Sequence, residues 1–270
     1  MTPPPEAVSP LLQFGSYFDL ALADPDDGGA PQQAADLIDR AQHLRYEVYC
    51  REFGFEREED CPGQRERDEY DARSLHCLLM HHASHHDAGT VRLVLSDPGR
   101  PQAPMPFVAH CGASLFTDHP AHPSRLAPEL CCEVSRLAVA STFRKRFGEN
   151  ESPIGQIDGI DISAPELRTY PLISLALFVA ATRLVAACGC LHAYAIMEPR
   201  LARRLAAAGL KFERIGNDVE YHGRRAAFYI HLDTALAATA ALPGMSAMYE
   251  YALARLDPQI PPARRRCPAQ

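Results

Sequence analysis

Glu133-Val-Ser-Arg-Leu-Ala-Val-Ala-Ser-Thr-Phe-Arg-Lys-Arg-Phe147 reads as a strand running into a basic turn. Val134, Leu137 and Val139, with small residues between them, suit a strand packed on at least one face. Glu133 and Arg136 lie three apart, which in a regular strand places them on opposite faces; one extra residue in a β-bulge would turn both toward one cleft. Arg144, Lys145 and Arg146 then gather three cations where the strand ends, the place at which an anionic cofactor tail would be met.

Working upstream, residues 75–80 and 90–95 read as antiparallel strands, joined through His81, His82, His85 and His86 by a turn ending Asp87-Ala88-Gly89. From Pro31, apolar residues from Ala35 to Tyr49 recur near a 3.6-residue period and predict the first firm helix, with Arg40 and Arg45 on it. The charge-dense residues 51–68, broken at Pro62-Gly63, predict an exposed loop with Phe53 and Phe55 tucked back. Residues 1–30 are expected to form a loose N-terminal arm that docks through its apolar patch at 11–22.

Downstream, residues 147–169 read as an irregular insertion, 170–187 as a long apolar helix and 191–197 as a buried strand. A short helix over 199–208 stops at Gly209. Two closing strands, 210–216 and 226–232, flank Glu220-Tyr221-His222-Gly223. Residues 235–256 predict helix split near Pro243-Gly244, and Arg264-Arg265-Arg266 a solvated end. The division expected is an arm over 1–30, a main domain over 31–235 and a helical extension with a basic tail over 236–270.

A chain of 270 residues with 47% apolar and 23% charged residues can bury a sizeable core. Its net charge of -7 argues against a general nucleic-acid binder. Nine cysteines, an odd number without an apolar N-terminal signal segment, suggest reduced thiols and a cytoplasmic location. Cys131-Cys132 and Cys188-Gly189-Cys190 lack a second pair at zinc spacing, so no metal site is expected, and the histidine-rich turn suits adventitious binding only. The apolar run at 170–182 is too short for a membrane span of about 20 residues.

The order of elements resembles the Gcn5-related (GNAT) acyltransferases, and the residues sharpen that likeness. Arg45 is followed at four and ten residues by Tyr49 and Phe55; Asp68 and Asp71 precede a strand; Arg92 lies on the next strand, and Glu133-x-x-Arg136 on the central one. This set resembles the acyl-homoserine-lactone (autoinducer) synthases and the related N-acyl amino acid synthases. The phrases Leu44-Arg45-Tyr46-Glu47-Val48-Tyr49-Cys50, Arg67-Asp68-Glu69-Tyr70-Asp71-Ala72-Arg73-Ser74, Gly89-Thr90-Val91-Arg92-Leu93-Val94, Met197-Glu198-Pro199-Arg200 and Val219-Glu220-Tyr221-His222-Gly223 are similar to the acyltransferases associated with PEP-CTERM/exosortase systems. Two departures stand out: Phe55 occupies a position that is often tryptophan, and the Gly-rich phosphate loop of CoA-dependent members is absent after Arg144.

The resemblance implies an α+β fold, a GNAT-type α/β/α sandwich with a mixed, mostly antiparallel central sheet. It implies transfer of a fatty acyl group from acyl carrier protein or acyl-CoA to the amine of an amino acid or similar small acceptor, with no tightly bound cofactor. The missing glycines weigh toward the carrier protein. Glu133 is then the candidate general base, with Arg136 orienting it or binding an acceptor carboxylate. Backbone N–H groups at Leu137, Ala138 and Val139 would hold the thioester and pantetheine arm. Arg45, Tyr49, Phe55, Asp68, Asp71 and Arg92 would form the acceptor site, or a charge network ordering the loop over it. Arg144, Lys145 and Arg146 would meet the phosphopantetheine phosphate or the acidic surface of a carrier protein, or simply solvate a turn. Glu133 and Arg136 as a structural ion pair, homoserine-lactone synthesis from S-adenosylmethionine, and a non-catalytic acyl-binding module are the competing readings.

Overall fold

The computed structural model describes residues 10–101, 103–144 and 163–265. In chain order these form α1 (Pro10–Tyr17), β1 (Phe18–Ala23), α2 (Pro31–Tyr46), β2 (Ser74–His81), β3 (Asp87–Leu95), α3 (Pro106–Cys111) and β4 (Cys131–Val139). There follow α4 (Ala164–Leu167), α5 (Ile173–Ala187), β5 (His192–Met197), α6 (Pro199–Ala207), β6 (Glu213–Arg214), β7 (Val219–Glu220), β8 (Arg224–His231), α7 (Leu232–Ala241) and α8 (Pro243–Leu256).

The strands make one sheet in the order β1-β2-β3-β4-β5-β8-β6, with β7 on the tip of β8. Every pairing is antiparallel except β4 with β5. Alternation along the strands explains the layers. Val91 and Leu93 of β3 and Cys132 and Val134 of β4 face the large core built around α5, whereas Val94 and Cys131 face a second cluster around Phe107 of α3. On that second side α2 covers the other end of the sheet through Leu37, Ala41 and Leu44, packed on Ala21, Leu78 and Ala138. Helices on both faces of a mostly antiparallel sheet are the α/β/α sandwich expected.

Gly89 shows how closely α5 is seated. A Cβ there would come within 2.9 Å of Leu177 Cδ1 and 3.0 Å of the Ala138 carbonyl oxygen, so only hydrogen lets β3 pass beneath the helix. The helical run Ala164–Ala187 is long and apolar enough by composition to cross a bilayer, but 61% of its most apolar window is buried inside the protein. Here that apolarity serves the core.

Within the segment read as an arm, residues 10–23 are built into the fold as α1 and an edge strand. Phe18–Ala23 pairs along its whole length with β2, and Phe18 is fully buried against Phe14, Phe143 and Tyr170. The C-terminal helices are equally committed: Met245, Met248, Ala252 and Leu256 lie in the α5 core. Arg264 is also no solvated end, since its guanidinium binds Asp24 at 2.7 Å and Asp26 at 2.7 Å beyond β1. Arg266 lies outside the described residues.

Candidate active site

The decisive local feature is a bulge in β4. Thr90 pairs with Ala138 and Arg92 with Ser135, so between these pairs one residue of β3, Val91, opposes two of β4, Arg136 and Leu137. Arg136 takes up the extra residue with φ of +51°, in the left-handed region. Side-chain parity changes across it: Glu133 and Ser135 face the α2–α3 side, and Ala138 does too, three residues on from Ser135. Arg136 is thereby turned to the face that carries Glu133.

β4 and β5 then part. Their parallel ladder contains only Cys131–His192, Cys132–Ala193 and Glu133–Tyr194. From residue 134 to 139 the β5-facing edge of β4 has no strand partner. Glu133 is therefore the last rung before the fork.

At that point Glu133 is 1% exposed, and its Oε2 accepts the backbone N–H of Phe107 at 2.7 Å. Burial pushes its pKa up to about 7, against the opposing pull of that N–H and of the Arg92 and Arg136 charges. No cation sits within salt-bridge distance of it among the described residues. The ion pair between Glu133 and Arg136 is thus not formed.

Arg136 is engaged elsewhere. Its Nε donates to Glu66 Oε1 at 3.0 Å and its Nη2 lies 3.1 Å from Asp68 Oδ2. Arg92 donates from Nη1 to Asp68 and Asp71, both at 2.5 Å, and from Nε to Ser135 Oγ at 3.2 Å. Arg45 completes the set, binding Asp71 at 2.9 and 3.1 Å, the Glu66 carbonyl at 2.8 Å and the Glu66 carboxylate. Three guanidiniums alternate with three carboxylates. Arg45 and Arg92 are essentially inaccessible, at 0% and 1%.

Burial alone would raise the pKa of Asp68 and Asp71, but the arginines more than reverse it, Arg92 chiefly for Asp68 and Arg45 chiefly for Asp71. Both stay ionised. His76, beside Asp71, goes the other way: burial lowers it to about 4, so it is neutral at pH 7. Arg92 is accordingly a network member, not a solvent-facing strand residue. Gln42 and the backbone join Asp71 and Glu66 to α2, which ties the end of the 51–68 loop to the sheet.

A second wall is aromatic. α2 continues as a π-helical turn over Glu47–Glu52, the kind of local irregularity that re-aims side chains at sites. Tyr49 there donates its hydroxyl to the Leu137 carbonyl at 2.9 Å, on the parted stretch of β4. Phe55 stacks on His222 with centroids 5.2 Å apart, and Arg225 lies over its ring at 5.3 Å. Tyr221 stacks on His110 at 4.1 Å, and the nearby Arg136 charge opposes the rise that burial gives its hydroxyl pKa. Phe53, in contrast, is not tucked back: it is 48% exposed, with Arg144 over its ring at 5.0 Å.

Arg144 itself donates to the Val139 carbonyl at 2.7 Å and pairs with Glu52. Lys145 and Arg146 lie outside the described residues. The described histidines of the 81–86 turn serve the fold, with His81 held between Ser84 at 2.8 Å and Glu166 at 2.7 Å. Among the described residues no group of three or more His, Cys, Asp or Glu is placed to hold a metal.

Residues 44–150 match the model of the acetyltransferase (GNAT) domain family. The chain has the GNAT fold. Three solved structures share it across most of their length. TofI, in a ternary complex with an inhibitor and MTA, is 21% identical, with 84% of this chain and 99% of that chain covered at a TM-score of 0.54. The acyl-homoserine-lactone synthase LasI is 16% identical, over 80% and 90%, at 0.52. BjaI, a CoA-dependent acyl-homoserine lactone synthase solved with SAM and isopentyl-CoA, is 17% identical, over 87% and 99%, at 0.53. At such identities the likeness speaks to the fold. None of the curated proteins compared matches the sequence.

Within this GNAT fold the structure brings Arg45, Asp68, Asp71, Arg92 and Arg136 into one network. It sets Glu133 on the same face of the sheet, with Tyr49 and Phe55 on a wall joined to the network through Tyr221. Glu66, Ser135 and Arg225 were missed as members. For Glu66 a signal existed: three arginines set against two aspartates leave one positive charge unbalanced, and a buried arginine requires a carboxylate. The others arrive by tertiary contact alone.

Proposed function

We propose that this protein is an N-acyltransferase that moves a fatty acyl group from a thioester, on acyl carrier protein or CoA, to the amine of an amino acid or similar small acceptor. The observation that carries the reading is Glu133: a buried carboxylate with a pKa of about 7, at the fork where β4 leaves β5. A base poised near neutrality suits removal of a proton from an ammonium, whereas one at the usual 4.5 is too weak.

In the reaction the amine lone pair attacks the thioester carbonyl. A C–N bond forms, the C–S bond breaks, Glu133 holds the proton whose removal freed the lone pair, and the second proton shed by the nitrogen passes to the departing thiolate. Supporting this, β4 has no strand partner on its β5 side at Leu137, Ala138 and Val139, where N–H groups on that edge could meet a donor, the Leu137 and Val139 carbonyls being taken by Tyr49 and Arg144. An apolar crevice on the α5 side, bounded by Val134, Phe178, Val185, Ala193, Phe212 and Ala235, begins one residue past the fork. Its open volume is only about 20 Å³, so a long chain enters as Phe178 and Phe212 give way.

Homoserine-lactone synthesis is the second reading. It is favoured by the assembly, in one site, of the residues that resemble the autoinducer synthases, with Phe55 in place of their frequent tryptophan. The phrases quoted above are what support a PEP-CTERM/exosortase association.

Mass spectrometry after incubation with long-chain acyl carrier protein, acyl-CoA, pooled amino acids and S-adenosylmethionine separates the readings. An acylated amino acid is expected. A homoserine lactone with methylthioadenosine would replace the first reading by the second, and a bound acyl chain without any product would mark a binding module.

A further inference from the structure

The charge network leaves a question that its own geometry answers. Arg45, Arg92 and Arg136 are each neutralised by carboxylates of the chain, so none has a full charge to give a substrate anion. The expectation that Arg136 binds an acceptor carboxylate meets Glu66 and Asp68 already in that place.

Arg225 differs. It is the second residue of β8, just after the turn at His222 and Gly223, both with positive φ, and pairs across the hairpin with Val219. Its guanidinium lies over the Phe55 ring, and its charge reaches Tyr49, Tyr221 and His222, the residues around Arg136. Among the described residues no carboxylate forms a salt bridge with it. Its Nε is buried without a hydrogen-bond partner, a costly state for a cationic donor. The nearby carboxylate, Glu56, is paired with His222 instead, at 3.2 Å. Two other arginine nitrogens are buried without a partner: Arg92 Nη2 belongs to a guanidinium whose Nη1 is already held by Asp68 and Asp71, and Arg73 Nη1 to a side chain donating to the Pro104 carbonyl and lying over Tyr70.

We infer that Arg225 is the carboxylate anchor of the acceptor site: the acceptor is an amine that also carries a carboxylate, held by Arg225 while its nitrogen is directed to Glu133. This rests on the acyltransfer reading and narrows it. A planar guanidinium with a free edge is matched to a carboxylate, and the aromatic wall beneath it excludes water and fixes the fork. Arg225 acts here as a binding and specificity residue, and the base remains Glu133.

The test compares amino acids with their primary amides as acceptors, in the wild type, Arg225→Gln and Arg225→Lys, with donor and acceptor KM measured separately. The wild type is expected to prefer the acids. Arg225→Gln should raise the acceptor KM for acids about ten- to a hundredfold, the range of a charge-assisted hydrogen bond, with amides and donor KM unchanged. Arg225→Lys, which keeps the charge and the stem packed on Phe55, should fall between. Equal use of acids and amides by the wild type overturns the anchor but leaves acyl transfer intact, as does a change confined to donor KM, which would assign Arg225 to the phosphate of the donor arm. Equal loss on acids and amides overturns it as a purely structural effect. A wild type that acylates no amine in either set removes the underlying reading and the anchor with it.

Discussion

Arg136 occupies a backbone conformation that glycine would adopt more readily, and holds it through Glu66 and Asp68. A left-handed φ costs a side-chain-bearing residue about 1–2 kcal/mol, so this position stores strain next to the chemistry. Replacing Arg136 by Gly relieves that strain, while Glu66 keeps Arg45 and Asp68 keeps Arg92. The variant is expected to unfold within about 1 kcal/mol of the wild type in urea yet to lose at least tenfold in kcat/KM. A large destabilisation would show that the ion pairs, not the backbone, govern this residue.

At Glu133, a pKa near 7 makes the rate fall about tenfold per unit as pH drops below 7, and Glu133→Gln should remove that limb while lowering kcat about a hundredfold or more. The stability consequence has a definite sign. The folded pKa lies above the reference value of 4.5, so the native state binds the extra proton and loses stability as pH rises from about 4.5 to 7. Urea unfolding of the Gln variant should lack that slope. Asp71 works oppositely, its contribution being present above its reference value of 3.8 and lost as pH falls below it.

Among the elements, β1 has the most to lose. Phe18 is fully buried among Phe14, His81, Phe143 and Tyr170, and it anchors the only neighbour β2 has on that side. Phe18→Ala should destabilise the protein by about 3–5 kcal/mol, read by chemical denaturation, and an unchanged midpoint would return this segment to the status of an arm. That strand was illegible in the sequence for a physical reason. Phe18-Asp-Leu-Ala-Leu-Ala is short, sits between Gly and Pro-rich stretches, and is buried on both faces, so no alternation marks it. α2 is legible from its helical period, and β2, β3 and α5 from apolar runs of strand or helix length bounded by turn signals. The bulge could be read only as a condition, since nothing in residues 133–139 reports which partner residues they will face. Glu133, Arg136, Asp68, Asp71 and Arg92 were named from motif spacing, but their pairings follow from register: Arg92 meets Ser135, not Arg136, because the bulge intervenes. Sequence alone leaves Arg144 to a donor phosphate, a carrier surface or solvent, because Glu52, its partner, is 92 residues away.

At the scale of the whole molecule the sheet is two leaves, β1 to β4 and β5 to β8, joined by three rungs and bridged underneath by α5. α5 is seated on Gly89 of one leaf and lines the crevice with Ala193 and Ile230 of the other. α8 and the residues after it close the first leaf in the same way, where Arg255 pairs with Asp19 and Arg264 with Asp24. These contacts lock the outer edge, and the interior seam stays open.

That seam has a consequence for the time domain. Amide hydrogens exchange with solvent deuterium as fast as their hydrogen bonds open, and a central strand is ordinarily among the last to exchange. In β4 the amides that point toward β5 beyond Glu133 have no ladder to hold them, although they lie at the middle of the sheet. Residues 134–139 should therefore carry a mixture of slow and fast amides within a single strand, and a bound thioester donor should slow the fast set selectively. Uniform protection along β4 in the free protein would mean that the two leaves close on each other in solution.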